Sequence, residues 1–478
     1  MKSNFINGKW IDGSSDVTFS IHNPATEEEI QTISEAGNID IDTAINAAHY
    51  QIYQGDWYKM LPNKKEAVLL KYADIIEQHT TELSELLVAE HGKLLADAQK
   101  EVGATVNCFR YYAGWATKIE GSTLGVSLSG GNHFAYTQKE PIGVVAAIAP
   151  WNVPMMMYAW KIAPALACGC AVVFKPSEET PLTALRLAEL SQEAGIPDGV
   201  INVVNGRGAT VGNYLINHPK VHKITFTGSS QVGKNIGKQA GQNLKEFTLE
   251  LGGKNPVLVL DDADLNSLPK GTTKGIFYNQ GQVCVSGSRI YLPKQKYDTI
   301  LSDIGDIAKT MKVGHGMDQT SQMGPLVSKS HMEHVIKYID SGIAAGAEVI
   351  AGGNKLYNKG YYVAPTVFSN PDNHKIDILK QEIFGPVLVA VSYDGLDDLI
   401  QKANDTPYGL AASIWTKNVS NMHYLLSKLH AGMIYVNSPV RSDPNLPLGG
   451  FKQSGIGNEL GKASIAAFTR SKSVVISY

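Results

Sequence analysis

Between residues 142 and 250, short apolar runs alternate with amphipathic ones, and this alternation restricts the fold more than any other feature of the chain. GVVAAIA, AVVF, INVV, KITF and EFTLEL read as five short buried strands. Residues 155–168, 180–195, 209–216 and 231–240 read as the helices between them, the second with Thr180 as N-cap, Pro181 at its first position and Gly195 at its end. Strands that alternate with helices in this way predict a parallel, doubly wound α/β sheet. Ligands of such sheets gather at the carboxyl ends of the strands. Those ends carry Trp151-Asn152, residues 175–178, 206–208 and 228–230, all capable of tight turns or polar contacts.

The flanking regions extend this picture. An opening extended region ends near Pro24, and helical periodicity runs from about Asp42 to Thr117. A Gly/Ser-rich stretch from Glu120 to Pro141 predicts a hairpin or projecting arm. Beyond Lys254 a second α/β region is expected, with strands near VLVL, RIYL, VLVAV, ASIWT and MIYVN. The closing SKSVVISY reads as a strand able to pair with the arm or with another subunit.

Composition closes off several functional classes. With 478 residues, 43% apolar and 18% charged, the chain can bury a large core across two to four domains. A net charge of -3 gives no electrostatic reason to expect nucleic acid. No stretch reaches the ~18 consecutive apolar residues of a membrane helix, and the first residues lack a signal-peptide core. Four scattered cysteines rule out a disulfide framework, so a reducing, cytoplasmic setting is expected. Cys168 and Cys170 lie in an apolar run without a second ligand pair, which points to packing; no metal site is expected.

Cys284 in NQGQVC and Glu250 in ELGGK together carry the chemistry of greatest interest. A thiolate attacks carbonyl carbon, and a carboxylate can activate the water that releases what sulfur has captured. Other motifs fit around that pair. FTGSSQVG follows a strand and opens a helix, where backbone N–H groups bind phosphate and Gly228 permits close approach. Glu178 in FKPSE could accept both ribose hydroxyls of an adenosine and would repel a 2′-phosphate. Asn152 in APWN could donate to a developing oxyanion, and EIFGP could clamp a ribose and a planar heterocycle. Each of these also fits a plain structural role: a buried core cysteine, a strand-to-helix turn, a solvated turn, a capping asparagine, an amphipathic turn stopped by Gly-Pro.

Taken in order, APWN, WKIAPAL, KPSE, FTGSSQVG, ELGGKNP, NQGQVC, EIFGPV and PLGGFKQSGIGNELG resemble the NAD(P)-dependent aldehyde dehydrogenase superfamily, over essentially the whole chain. The resemblance implies a Rossmann-type cofactor domain (1–120 and 142–252), a catalytic α/β domain (253–452) and a small β oligomerisation domain (121–141 and 453–478) of a homodimer or homotetramer. It implies that Cys284 is the nucleophile, Glu250 the base, and Asn152 an oxyanion donor beside the Cys284 N–H. Lys161 and Glu459 are implied as a proton route. Lys175 and Glu178 are implied at the adenosine ribose, Trp151, Ser177, Gly208, Gly228 and Ser229 along the cofactor, and Glu382 and Phe384 at the nicotinamide ribose. NAD is the cofactor expected.

For the substrate, Val153, Met157 and Trp160 fall near one helix face, where the resemblance places a tunnel. Val153 departs from the aromatic residue often found there and should widen it. Among subfamilies the chain is most similar to bacterial phenylacetaldehyde dehydrogenases, so an apolar or arylaliphatic aldehyde oxidised to the free acid is expected. The polar residues Arg441, Ser442, Asp443 and Asn445 leave betaine-aldehyde-like substrates open. CoA-acylating chemistry and a non-catalytic structural protein are further alternatives; Glu250 argues against the first, and intact Cys284, Glu250 and Asn152 against the second.

Overall fold

The computed structural model describes residues 2–370, 372, 376–439 and 441–478. Its first sheet has eight strands, in the order Gly455–Ile456, Glu246–Glu250, Lys223–Thr227, Val144–Ile148, Ala171–Lys175, Ile201–Val203, Asn4–Ile6, Lys9–Ile11. The five expected strands form its parallel centre. Val144–Ile148 is buried along its whole length, as a strand covered by helices on both faces must be. The chain winds outward from this strand in one direction, then returns to its other side with Lys223–Thr227. The crevice at the carboxyl ends of these two strands is therefore the topological switch point, and Trp151-Asn152 and Gly228-Ser229 follow directly from it.

The second sheet has seven strands, in the order Glu348–Ala351, Thr366–Ser369, Val387–Tyr393, Gly287–Pro293, Asn255–Val259, Ala411–Trp415, Met433–Val436. The five expected strands are present and parallel; the edge pair Glu348–Ala351 and Thr366–Ser369 was not foreseen and is antiparallel. Between the sheets the chain needs only Leu251–Lys254 to pass from Glu250 to Asn255. The end of one sheet thus abuts the start of the other.

Several expectations are corrected. The opening extended region continues past Pro24, because Thr18–His22 and Glu29–Ser34 close a hairpin. The helix expected over 209–216 begins as a wide π turn, Gly208–Gly212, and becomes α only at Asn213–Asn217. The helix expected to be capped by Thr180 is Leu182–Ala194. Its free N–H groups at Leu182 and Thr183 donate to the buried Glu90 carboxylate at 2.7 and 3.1 Å, while the Thr180 hydroxyl donates to the Trp151 carbonyl. A carboxylate reaching over from another helix satisfies two N–H groups and meets the helix dipole, which a threonine hydroxyl does less well.

The arm is a three-stranded sheet in which His133–Pro141 lies between Thr123–Leu124 and the last strand, Thr469–Ser477. Segment 453–478 is divided between two bodies. Gly455–Ile456 pairs with Leu249 and Glu250 at the edge of the first sheet, and only the last strand joins the arm. Cys168 and Cys170 are buried, with their thiols against the Ile465 and Phe468 carbonyls.

Candidate active site

The turn that carries Cys284 is held in an unusual backbone conformation. Asn279, Gln280 and Gly281 have φ of 49°, 59° and 73°, three left-handed residues in succession. Left-handed backbone costs a non-glycine residue about 1–2 kcal/mol, least for asparagine, so the packing around the turn must impose it. A Cβ on Gly281 would lie 2.1 Å from the Gly385 carbonyl oxygen, which leaves no alternative to glycine where the turn passes beneath EIFGP. Asn255 fixes the far side by donating to the Cys284 carbonyl at 2.8 Å and the Ser286 carbonyl at 2.9 Å.

Asn152 meets this turn from the first sheet. Its Nδ2 donates to the Gln282 carbonyl at 3.0 Å, and its own carbonyl accepts from Asn279 Nδ2 at 2.9 Å. Only one of its two amide hydrogens is engaged by that bond, so a second remains to donate. A cavity of about 790 Å³ opens here, lined by Asn152, Cys284, Val153, Met157 and Trp160. The tunnel face expected from helical spacing therefore borders the same space as the thiol. Met156, Tyr278 and Trp415 complete the walls nearby.

Electrostatics set the resting state of the thiol. Burial, followed by the carboxylates of Glu382 and Glu250, pushes Cys284 up to about 12. Burial also raises Glu250, helped by the Glu459 carboxylate and opposed by the Lys161 ammonium. Among the described residues, neither oxygen of Glu250 has a partner at hydrogen-bond geometry. Behind it Lys161 makes a short ion pair with Glu459 and donates to Thr227 Oγ1 at 2.8 Å and Thr225 Oγ1 at 3.2 Å. Lys161, Glu459 and Glu250 thus form one buried electrostatic cluster.

The other polar positions lie along the carboxyl ends of the first sheet. Lys175 is buried, its Nζ 3.6 Å from Glu178 and donating to the Pro176 carbonyl at 2.8 Å. Desolvation lowers its pKa. Glu178 is partly exposed and accepts from the Gly208 N–H at 2.8 Å. A Cβ at Gly208 would meet nothing within 4 Å, so space stands open beside this carboxylate. Ser177 is almost buried and accepts from the Glu179 N–H.

Ser229 caps the helix Ser230–Gln242 through Val232 and faces solvent. At Gly228 a Cβ would lie 2.5 Å from the Phe226 ring, so the strand's own side chain also favours glycine there.

Glu382 accepts from the Gly253 N–H at 3.0 Å and is raised to about 7 by burial. Trp151 stands edge-on to Phe384, 5.3 Å between centroids at 86°. The Phe384 backbone has φ of 59°, and its carbonyl is 2.8 Å from His331 Nε2. Burial lowers His331 to about 4, so the ring is neutral and its Nε2–H donates. His331, the buried Lys254 ammonium and the Lys93–Glu101 pair were not anticipated. For Glu101 a signal existed, since it interrupts the apolar face of Leu95–Ala113.

A thiol and an amide donor line an apolar cavity, and the buried Glu250 carboxylate is near enough to act on the charge of the thiol, with open polar ground along the neighbouring sheet. A profile of the aldehyde dehydrogenase family matches residues 10–474, and the chain belongs to that family. It is 46% identical to a phenylacetaldehyde dehydrogenase of Pseudomonas fluorescens, over 99% of this chain and 95% of that protein. Among solved structures, an NAD+ complex of an aldehyde dehydrogenase from Bacillus cereus superposes with a TM-score of 0.97 at 42% identity, covering 99% and 96% of the two chains. A betaine aldehyde dehydrogenase from Staphylococcus aureus, in complex with NAD+, gives 0.96 at 36% identity, covering 99% and 94%.

Proposed function

We propose that this enzyme oxidises an apolar or arylaliphatic aldehyde to the free carboxylic acid with NAD, phenylacetaldehyde being the first substrate to test. The observation that carries the reading is the apolar cavity running from Cys284 past Val153, Met157 and Trp160.

The residues present fit a dinucleotide. Lys175, Ser177 and Glu178 would hold the adenosine ribose, where the space beside Gly208 is open. Gly228 and Ser229 would take the pyrophosphate at the helix N-terminus. Trp151, Glu382 and Phe384 would hold the nicotinamide ribose. Bound NAD supplies the hydride acceptor and a positive ring.

The chain's own groups then divide the work. Cys284 adds as thiolate to the aldehyde carbon, and the oxygen that becomes anionic is met by Asn152 Nδ2 and the Cys284 N–H. Loss of hydride from that carbon leaves a thioester on sulfur. Water attacks it, Glu250 takes the water proton, the C–S bond breaks, and the acid leaves with the thiolate restored. A buried carboxylate of raised pKa is a better base than an exposed one, and its two oxygens, without partners among the described residues, could accept from water. Lys161 and Glu459, paired behind Glu250, would pass the proton onward.

Charge weighs against a quaternary ammonium substrate. Its aromatic walls alone would suit either class. The exposed Lys270, Lys274 and Arg441 also line the cavity, and the lining carboxylates Asp97 and Glu101 are each paired with lysine. A fixed cation on the substrate would meet three basic side chains that form no ion pair among the described residues. NADH formation across an aldehyde panel tests the reading: phenylacetaldehyde should exceed betaine aldehyde in kcat/KM, and the reverse order would refute it.

We also assign self-association, as homodimer or homotetramer, to the arm sheet, whose Phe134, Val475 and Ile476 are exposed apolar residues.

A further inference from the structure

Lys93 and Glu101 form an ion pair shut off from solvent, 1% and 2% exposed, on the first-sheet side of the cavity. Burying two charges is costly and is seldom repaid in stability alone, so the partners of the pair matter. Lys93 Nζ donates to the backbone carbonyl of Asn152 at 3.2 Å. Glu101 uses its second oxygen, Oε1, to accept from the N–H groups of Met155 at 3.0 Å and Met156 at 3.4 Å. Those N–H groups open the helix Pro154–Ala167, whose N-cap residue Val153 has no side chain able to cap it. A carboxylate there satisfies orphan donors and complements the helix dipole.

One buried pair thus holds both the amide-bearing residue and the helix behind it. That helix carries Met157 and Trp160 on the cavity wall and Lys161 in the cluster with Glu459. On its other side Asn152 is tied to Asn279 and Gln282, in the turn before Cys284. We propose that Lys93 and Glu101 are positioning residues for the oxyanion amide: the ion pair fixes the Asn152 backbone so that Nδ2 stays aimed at the oxygen borne by the carbon that Cys284 attacks. This rests on the reading of Asn152 as the oxyanion donor.

The test is a double-mutant cycle. Lys93→Met with Glu101→Gln removes both charges together and leaves no buried ion unpaired. Steady-state oxidation of phenylacetaldehyde at saturating NAD is measured for the parent, this variant, Asn152→Ala and the combination, with NAD binding followed by fluorescence. In the parent background the paired change should lower kcat about tenfold, with NAD affinity unchanged. In the Asn152→Ala background it should cost less than about twofold, because residues acting through a shared partner are non-additive. An equal loss in both backgrounds would make the pair merely structural and overturn the proposal. An Asn152→Ala enzyme as fast as the parent would instead overturn the oxyanion reading, and this proposal with it. If the paired variant fails to fold, Lys93→Arg and Lys93→Gln go through the same cycle. Arg, keeping charge and donor, should hold kcat within about threefold, and Gln should show the background-dependent loss; similar rates for both would also overturn it.

Discussion

Asn152 Nδ2 donates to the carbonyl of Gln282 at 3.0 Å, two residues before Cys284, and so joins the end of a first-sheet strand to the turn that presents the thiol. The proposed oxyanion donor and nucleophile are thus held in register by a direct bond across the two α/β halves. Asn152→Ala removes that bond and the free amide hydrogen together. It should lower kcat by about a hundredfold, the usual scale for loss of one oxyanion donor. Stopped-flow NADH formation would locate the loss in acylation; an unchanged acylation rate would contradict the assignment.

Glu382 and Glu250 both hold the Cys284 thiol up, adding to its burial. The reactive species is the thiolate, so alkylation by iodoacetamide in the NAD-free protein should be slow at neutral pH and climb as pH rises. Glu382→Gln removes a negative neighbour, so the thiol ionises at lower pH and alkylation is faster at every pH from 7 to 10. A slower reaction in this variant would mean that Glu382 activates the sulfur instead of restraining it.

Glu250→Gln separates deacylation from thiol activation. Without a base to deprotonate water, each active site should release one NADH and stall as the thioester, visible as an acyl adduct by intact mass. In the parent enzyme, the raised pKa of Glu250 means that falling pH protonates the base first. The deacylation rate should therefore rise with pH above the ordinary carboxylate range and lose that dependence in the variant. Absence of the burst itself would assign Glu250 to forming the thiolate.

Glu178 is partly exposed and stands beside open space at Gly208. A ribose 2′-phosphate would meet its carboxylate with like charge, so kcat/KM should favour NAD over NADP. Glu178→Gln should narrow the preference mainly by improving NADP. Equal use of both cofactors by the parent would count against this placement.

The sequence was most legible where one local rule decided the outcome. Apolar runs such as VVAAI and AVVFK, alternating with helices, identified the central strands of both sheets, and the resemblance singled out Cys284, Glu250 and Asn152 for one site. Features set by distant partners were not legible. Glu90 caps a helix 92 residues away in sequence, and no local pattern announces such a carboxylate. The edge pair Glu348–Ala351 and Thr366–Ser369 lacked a sharp apolar alternation, and depends on Val387–Tyr393 for its place. Gly228 reads as a phosphate-approach glycine, yet its nearest constraint is the ring two residues before it. Lys93 is an ordinary solvated lysine in sequence and becomes otherwise only when Glu101 and Asn152 close over it.

On the proposed arylaliphatic reading, substrate choice turns on Val153, which stands at the N-cap of Pro154–Ala167 and lines the cavity with Met157 and Trp160. Valine leaves room there that an aromatic side chain would fill. Methionine is polarizable and packs against an aromatic ring with about 0.3–1.5 kcal/mol, so a phenyl group entering this wall gains contacts that a two-carbon aldehyde does not reach. Val153→Phe adds a ring to a closed-in position, and overpacking of this kind costs about 1–3 kcal/mol. Phenylacetaldehyde should carry most of that cost, its kcat/KM falling by about tenfold or more, while acetaldehyde changes by less than about threefold. Parallel kcat/KM measurements on the two aldehydes, in parent and variant, give the ratio directly. Equal losses for both would mean that Val153 borders the reacting carbon and not the ring, and the arylaliphatic reading would fall while the roles of Cys284 and Glu250 stood.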